Sequence, residues 1–404
     1  MKKKVFFFLS LSLIIQANAQ IMFCLRNDTL RPLTYSGGDE FNSATINEEA
    51  WGRHLWPKTN MAQNFAYDPN NSRIENGVAV FSLSQKDSIY IINPTEVDSN
   101  FIRQQKLQLN NHQFYLKYAA GSIISKQKYH YGLYELRFKI EKGKGVWPAF
   151  WFFGGNKNEE IDVFELKGER GNEIHVDTHC PYGCDRGYKN KLGLNTNWGN
   201  WMPVSNYLNE GFNIMLLDWR EDELIWYING YPLAYFKGKF SNPMNLFINT
   251  QVASAYSAFQ PGPDETTICP NAFYVDYIRQ WKELSAKNTP ALIVSNGLNL
   301  SDRFSSDYFN KPLKQSGLMY NSKKFKEEQG MVSLVRLSQT KILVNTIGKI
   351  NQAFSKIDFV GEYGDYHISQ LGMERVIEID GREKMLELIL YVGKKKYLQK
   401  ILLK

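Results

Sequence analysis

Between Gly145 and Gly168 the chain reads GVWPAFWFFGGNKNEEIDVFELKG, and its second half holds three acids, Glu160, Asp162 and Glu165, in the spacing E-x-D-x-x-E. Their neighbours Ile161, Val163, Phe164 and Leu166 are apolar and β-prone. That composition predicts a strand packed in a sheet, with side chains alternating between its faces. On a regular strand Glu160 and Asp162 share a face and Glu165 points away. One extra residue near Val163-Phe164, a β-bulge, returns Glu165 to the face of the other two. Three carboxylates then line one side of one strand. Their mutual repulsion is costly unless a proton or a substrate is handled there. The alternative, a solvated acidic edge paired with lysines, fits poorly with the apolar neighbours.

Two carboxyls about 5–5.5 Å apart suit a retaining glycosidase, in which one attacks the anomeric carbon and the other protonates the leaving oxygen and later activates water. A carboxylate between them holds the first in place and raises the pKa of the second. The pattern therefore points to cleavage of a sugar bond.

The rest of the chain agrees with a β architecture. Short apolar runs recur between turn signals: Val78 to Leu83, Gly121 to Ile124, Tyr131 to Ile140, Phe212 to Trp219, Leu224 to Ile228 and Leu246 to Ile248. Asn229-Gly230 between two of them is a hairpin turn signal. Many short strands with little helical periodicity predict an all-β sandwich. All nine tryptophans fall between Trp51 and Trp281. Beyond them a polar connector runs from Glu283 to Pro290, and further β-like runs follow at Met331 to Leu337, Ile342 to Thr346, Arg375 to Ile379 and Met385 to Tyr391. We expect a boundary near residue 285, with 20–284 as the catalytic unit and 285–404 as a small β-rich accessory domain.

In order along the chain, several segments resemble family 16 of the glycoside hydrolases, the group of β-glucanases, laminarinases and agarases. Glu160-Ile161-Asp162-Val163-Phe164-Glu165 matches the family's bulged acid motif, and Gly145-Val146-Trp147-Pro148-Ala149-Phe150-Trp151 its preceding strand. Gly38-Asp39-Glu40-Phe41-Asn42, Arg73 to Gly77, Ser122 to Lys126, Tyr131 to Arg137 and Val275 to Arg279 fit as well, so the resemblance covers roughly residues 35 to 283. It implies a curved jelly roll with an open cleft. It also implies Glu160 as nucleophile, Asp162 as its support and Glu165 as general acid/base. No cofactor is needed for the chemistry. A structural calcium is implied on the convex side, at Glu40, the backbone of Gly77 and Asp276, where oxygen ligands suit that ion.

Candidate sugar-binding residues surround the acids. Trp147 and Trp151 share a strand face with Ala149 between them, and aromatic rings stack on sugars; sandwich core is the competing reading. His175, Asp177 and His179 alternate and share one face. His179 matches a family histidine that bonds the central acid or the sugar, whereas His175 is read as a polar residue beside a loop. With Cys180 the same segment resembles a zinc ligand set, an option disfavoured for one alternating strand. Trp198 and Trp201 lie in a polar glycine-containing stretch read as a loop. Gln251 resembles the last cleft strand, but Val252-Ala253-Ser254-Ala255-Tyr256 departs from the laminarinase pattern there.

Composition sets the remaining bounds. Lys2-Lys3-Lys4, an apolar core from Val5 to Ile15 and Ala17-Asn18-Ala19 read as a signal peptide over residues 1–19, so export to the periplasm, cell surface or medium is expected. The apolar run is too short to span a bilayer, and a lipid anchor at Cys24 is disfavoured by Phe23. Of the four cysteines, Cys180 and Cys184 are expected to pair, as are Cys24 and Cys269, one of three connectivities. After residue 284 there are 19 Lys and Arg against 12 Asp and Glu, an excess equal to the whole chain's net charge of +7. The basic excess is thus outside the cleft and does not imply nucleic acid.

The sequence therefore predicts a secreted, monomeric, retaining endo-glycosidase acting on a β-linked polysaccharide. The first substrate class is a β-1,3- or mixed-linkage glucan of laminarin type. Agar, porphyran and carrageenan come second, and Arg170, Arg186 and Lys189 are the cations a sulfated chain would meet. A catalytically silent binding protein and a transglycosylase are the alternatives on the same fold.

Overall fold

The structure, a computed structural model, describes residues 20–26, 29–53, 59–60, 65–91, 113–154, 159–180, 188–189, 195–204, 207–229, 231–253, 259–284, 290–292, 330–347, 356–368, 375–392 and 394–404. The expected signal peptide lies outside them. Within them the chain forms strands and one 3-10 turn, Pro69–Asn71, but no α-helix. No helix is long and apolar enough to cross a membrane among the described residues.

Two antiparallel sheets make the sandwich. The inner sheet has eight strands in the order Tyr188–Lys189, Asn195–Pro203, Glu173–His179, Glu159–Glu165, Val146–Gly154, Met244–Val252, Ser122–Tyr129 and Trp51–Gly52. The middle of the outer sheet runs Tyr231–Lys237, Glu223–Ile228, Asn213–Trp219, Gly132–Ile140, Asn271–Glu283 and Thr29–Asp39. Asn229 adopts φ +47, the left-handed conformation that an Asn-Gly hairpin requires, and Ile228 pairs with Tyr231 across it.

Aromatic packing joins the sheets. Phe164 of the inner sheet lies 4.5 Å from Phe138 and 6.0 Å from Phe273 of the outer sheet, measured between ring centres. The indole of Trp226 donates to the backbone oxygen of Asp162 at 3.2 Å. An outer-sheet side chain thereby pins the middle of the acid-bearing strand from behind.

The outer sheet is covered on its far side too. The run Leu224-Ile225-Trp226-Tyr227-Ile228 shows no polar alternation, as befits a strand buried on both faces. Leu224, Trp226 and Ile228 enter the sandwich core, while Ile225 and Tyr227 enter a second core. That second core also takes Leu133, Leu216 and Trp281 together with Val332, Leu334, Leu386, Leu388 and Ile401 from the C-terminal region. One strand links the two regions: Gln20–Arg26 pairs on one side with Thr29–Asp39 and on the other with Gly330–Arg336. A separate five-stranded sheet, containing Lys356–Val360, Asp365–Ile368, Met385–Val392, Lys395–Leu403 and Ala291–Leu292, completes the C-terminal part.

Two expectations need correction. Cys24 and Cys269 are free thiols and do not pair. Cys24 is buried in strand Gln20–Arg26, with its sulfur 3.8 Å from Arg31 Nη2. Cys180 is disulfide-bonded, whereas its expected partner Cys184 lies outside the described residues. The two implied side-chain ligands of calcium, Glu40 and Asp276, are also engaged otherwise. Both oxygens of Glu40 accept from Arg279, at 2.7 and 2.8 Å, and Asp276 accepts from Arg137 at 2.6 Å. Gly77 sits in the turn beside Asn76, at φ +75. A divalent ion would have to displace two guanidinium groups, so these residues do not fit a calcium site as they stand.

Candidate active site

The bulge lies between Asp162 and Glu165. Against Val146–Gly154, Asp162 is opposite Trp151 and Phe164 is opposite Phe150, which leaves Val163 without a partner residue. Against Glu173–His179, Glu160 is opposite His179, Asp162 opposite Asp177 and Glu165 opposite His175. Ile161, Val163 and Phe164 all point into the sandwich core. Glu160, Asp162 and Glu165 therefore share the other face, in the order the spacing anticipates. Asp162 is buried, and its two neighbours are part-exposed.

The histidine strand supplies the counter-groups. His179 Nε2 lies 3.4 Å from Asp162 Oδ2 and 3.5 Å from Asp177 Oδ2. Asp162 Oδ2 has no hydrogen-bond partner of full geometry, so this contact is chiefly one of charge. His175 Nδ1 lies 3.1 Å from Glu165 Oε2. The indole of Trp147 is near enough to favour the charged form of Glu165, although its N–H makes no well-aligned bond.

These contacts give the two histidines opposite characters. Burial works against a charge on His179, but Asp162, Asp177 and Glu160 outweigh it and push the ring up to about 10. Burial, helped by His179 and Lys167, holds His175 below its ordinary value against the pull of Asp177. Among the acids, burial and then the charges of Glu160 and Asp177 push Glu165 up to about 8. Burial and the charge of Asp162 raise Glu160 well above its ordinary value too, and burial and the charge of Glu165 push Asp162 up to about 7, while the cation at His179 opposes both rises. Like charges this close cannot all ionise, so the cluster retains a proton. The register favours Glu165 as its holder: Glu165 faces a neutral ring, and Glu160 faces a cationic one.

The aromatic candidates flank this cluster. Trp147 stacks on Phe259 at 4.0 Å and 11°, and Trp151 stacks on Phe247 at 4.2 Å and 21°. Each tryptophan thus has one ring face occupied by protein. The Trp151 indole donates to Asn249 at 2.8 Å, which fixes its orientation. Trp201 lies 5.1 Å from His175 and 5.3 Å from Phe259, measured between ring centres. Gln251 is directly opposite Trp147 and accepts from the Tyr67 hydroxyl at 2.8 Å. Trp198 is opposite Thr178, but its side chain is outside the described set, as are those of Arg186, Lys189 and Tyr256. Arg170 pairs with Glu173 on the surface, at 3.3 Å.

The stretch holding Trp198 and Trp201 is a strand, Asn195–Pro203, and not the expected loop. Pairing with Glu173–His179 orders it despite its polarity. Gly199 has a specific purpose there: a Cβ at that position would lie 2.5 Å from the carboxyl carbon of Asp177. The glycine makes room for a fourth acid.

Sequence reasoning placed His175 and Asp177 on the face of His179 without giving them a catalytic or sugar-binding role, and it passed over Phe259, Phe247 and Lys167. The alternation of His175, Asp177 and His179 was the available signal for the first two. Phe259 and Lys167 leave none, because the chain brings them in from separate segments. Lys167 is buried, donates to the backbone oxygen of Gln260 and lies 5.4 Å from the centre of the Trp201 ring.

Among the described residues one group of metal-ligating type gathers, Glu160, Asp162 and His179, with ligand atoms within 4.8 Å of one another. His179 is already engaged there with two aspartates. The zinc set that would include Cys180 fails because that sulfur is in a disulfide and cannot offer a thiolate. The arrangement brings carboxyl groups and imidazoles of different proton affinity to one face of the sheet.

Residues 82–279 match the family described as glycosyl hydrolases family 16. A β-glucanase from Rhodothermus marinus is 23% identical over 190 residues, covering 41% of this chain and 63% of that protein. A keratan-sulfate endo-1,4-β-galactosidase from Sphingobacterium multivorum is 27% identical over 185 residues, covering 41% of this chain and 40% of that protein. The catalytic domain of an endo-1,3-β-glucanase (laminarinase) from Thermotoga petrophila shares the fold with a TM-score of 0.50 at 22% identity, covering 63% of this chain and all of that one. The match spans less than two thirds of the length of either curated relative.

Proposed function

Through residues 82–279 the chain belongs to family 16 of the glycosyl hydrolases, and on that premise we propose that it is a retaining endo-glycosidase that hydrolyses a β-linked polysaccharide. The observation that carries this is the bulged strand, which puts Glu160 opposite His179 and Glu165 opposite His175. Ionised Glu160 attacks the anomeric carbon. The glycosidic C–O bond breaks as Glu165 gives its proton to the leaving oxygen. Water then attacks the same carbon, returns a proton to Glu165 and releases Glu160 as a carboxylate. Asp162, tied to His179, holds the nucleophile's surroundings in place.

The preferred substrate is a β-1,3- or mixed-linkage glucan. Four carboxyl groups, Glu160, Asp162, Glu165 and Asp177, meet at the point of cleavage, which favours a neutral sugar over a sulfated one there. The similarity to a galactosidase keeps a galactan as the second reading. We further propose, from Lys2-Lys3-Lys4 and the apolar run after it, that the protein is exported, and that it works as a monomer.

Release of reducing ends from laminarin, lichenan, agar, porphyran and carrageenan tests the reading, with Glu160→Gln as control. Cleavage of laminarin or lichenan that drops at least about 1,000-fold in the control is expected. Activity that survives in Glu160→Gln would remove the nucleophile, and an intact protein that binds all five but cuts none would be a binding protein.

A further inference from the structure

We infer that His175 is the positioning residue of the general acid/base: its neutral ring ties down one oxygen of Glu165 and leaves the other free to carry the proton. The inference rests on the glycosidase reading and deepens it.

The geometry is specific. Glu165 and His175 are direct cross-strand partners, at the one register position that the bulge creates. Nδ1 is 3.1 Å from Oε2, and the two side chains are only 15% and 14% exposed. The ring meets Phe259 edge-on at 5.5 Å and 88° and leans on Trp201 at 5.1 Å and 49°. Imidazole and carboxyl are thus held together by packing from both sides, without needing a charge on the ring.

The chemistry needs that ring neutral. The groups facing it are Glu165 across the strand pair, Asp177 and His179 on its own strand, and Lys167 from the end of the acid strand. Burial, His179 and Lys167 disfavour a cation at His175, and Asp177 opposes them. A cationic imidazole beside Glu165 would draw the proton off it before the sugar arrived. A neutral Nδ1–H donating to Oε2 is compatible with both halves of the reaction. Oε1 gives its proton to the leaving oxygen, then receives one from water, while the bond at Oε2 persists. The opposite tautomer would accept the Glu165 proton at Nδ1 and divert it from the substrate, so the protonated Nδ1 is part of the inference.

His179 performs the complementary task four residues along. It lies between two aspartates opposite Glu160, and its charge favours an ionised nucleophile. One strand therefore presents a cationic ring to the group that must lack a proton and a neutral ring to the group that must keep one.

The test compares kcat/KM on laminarin with kcat/KM on a dinitrophenyl β-glycoside of a laminari-oligosaccharide. Both report bond cleavage up to formation of the ester, but only the polysaccharide needs its leaving oxygen protonated. His175→Phe keeps the ring packing and removes the donor, whereas His175→Asn keeps an N–H close to the position of Nδ1. The expected result is a loss of about 30-fold or more on laminarin for His175→Phe, with a loss below about 3-fold on the activated substrate. His175→Asn is expected to keep most of both activities, at melting temperatures within a few degrees of the intact protein. Equal losses on the two substrates, or a phenylalanine variant as active as the asparagine one, overturn the inference. An intact protein that cleaves neither substrate overturns the glucan reading on which this test rests, a result distinct from either.

Discussion

Asp177 occupies space that only a glycine at position 199 leaves open. Its carboxylate flanks the Nε2 of His179 on one side, as that of Asp162 does on the other, at 3.5 and 3.4 Å. Gly199→Ala should push Asp177 aside and disturb that bridge. The Cβ would also lie 2.6 Å from the backbone oxygen of Val176, so we expect kcat to fall by about 10-fold or more together with a loss of stability of about 1–3 kcal/mol, measured by steady-state kinetics and thermal melting. Glu165 carries a second consequence. Its folded value near 8 lies above its ordinary 4.5, so its favourable contribution is complete below about pH 4.5 and is lost as pH rises through 8. His179, raised from 6.5 to about 10, loses its contribution in the same direction over a higher window. Activity should therefore fall on an alkaline limb near pH 8, as Glu165 gives up the proton it must donate. Glu165→Gln, though inactive, should melt higher than the intact protein at pH 8–9, by on the order of 1–2 kcal/mol, and the gap should close near pH 5. A gap that stays constant across that range would contradict the raised value.

At the scale of the element, the acid strand shows how far local pattern reaches. Val163 and Phe164 are consecutive yet both face the core, and that break in alternation was legible in the six residues from Glu160 to Glu165. Phe164 is fully buried against Phe138, Phe150 and Phe273. Phe164→Ala should cost about 3–5 kcal/mol and, by loosening the bulge, lower activity even where the variant remains folded; chemical denaturation and assay check the two parts. The roles of His175 and Asp177 were not legible in the same way. Their positions on one face could be read from spacing, but what they face depends on the register between two strands, which no local pattern encodes. Trp198 and Trp201 looked like loop residues for a related reason. A polar, glycine-containing segment becomes a strand here because its neighbour supplies the hydrogen bonds.

Among the described residues two large cores dominate, one inside the sandwich and one beneath the C-terminal region. Tryptophan distribution and charge marked the change of character near residue 285. The joining of Gln20–Arg26 to Gly330–Arg336 left no mark of its own, since partners so distant in sequence share no local signal. The five consecutive apolar residues Ile21 to Leu25, each at most 3% exposed, were the available hint of a strand covered on both faces. Removing residues 285–404 should bare Leu133, Leu216, Ile225, Tyr227 and Trp281 and leave Gln20–Arg26 as an open edge. We expect the truncated chain to aggregate on expression even though every proposed catalytic residue is retained, as solubility and size-exclusion chromatography would show. A soluble, fully active 20–284 fragment would mean that the second core is dispensable.

The position of Gln20–Arg26 also sets a clock. Its far-side partner is made about 300 residues later, which at about 5–20 residues per second is roughly 15–60 s of synthesis. For that interval one of the most apolar strands in the chain has a neighbour on one flank only. A chaperone that shields the emerging chain would have its greatest effect in that window, and slowing translation would lengthen the exposure rather than relieve it.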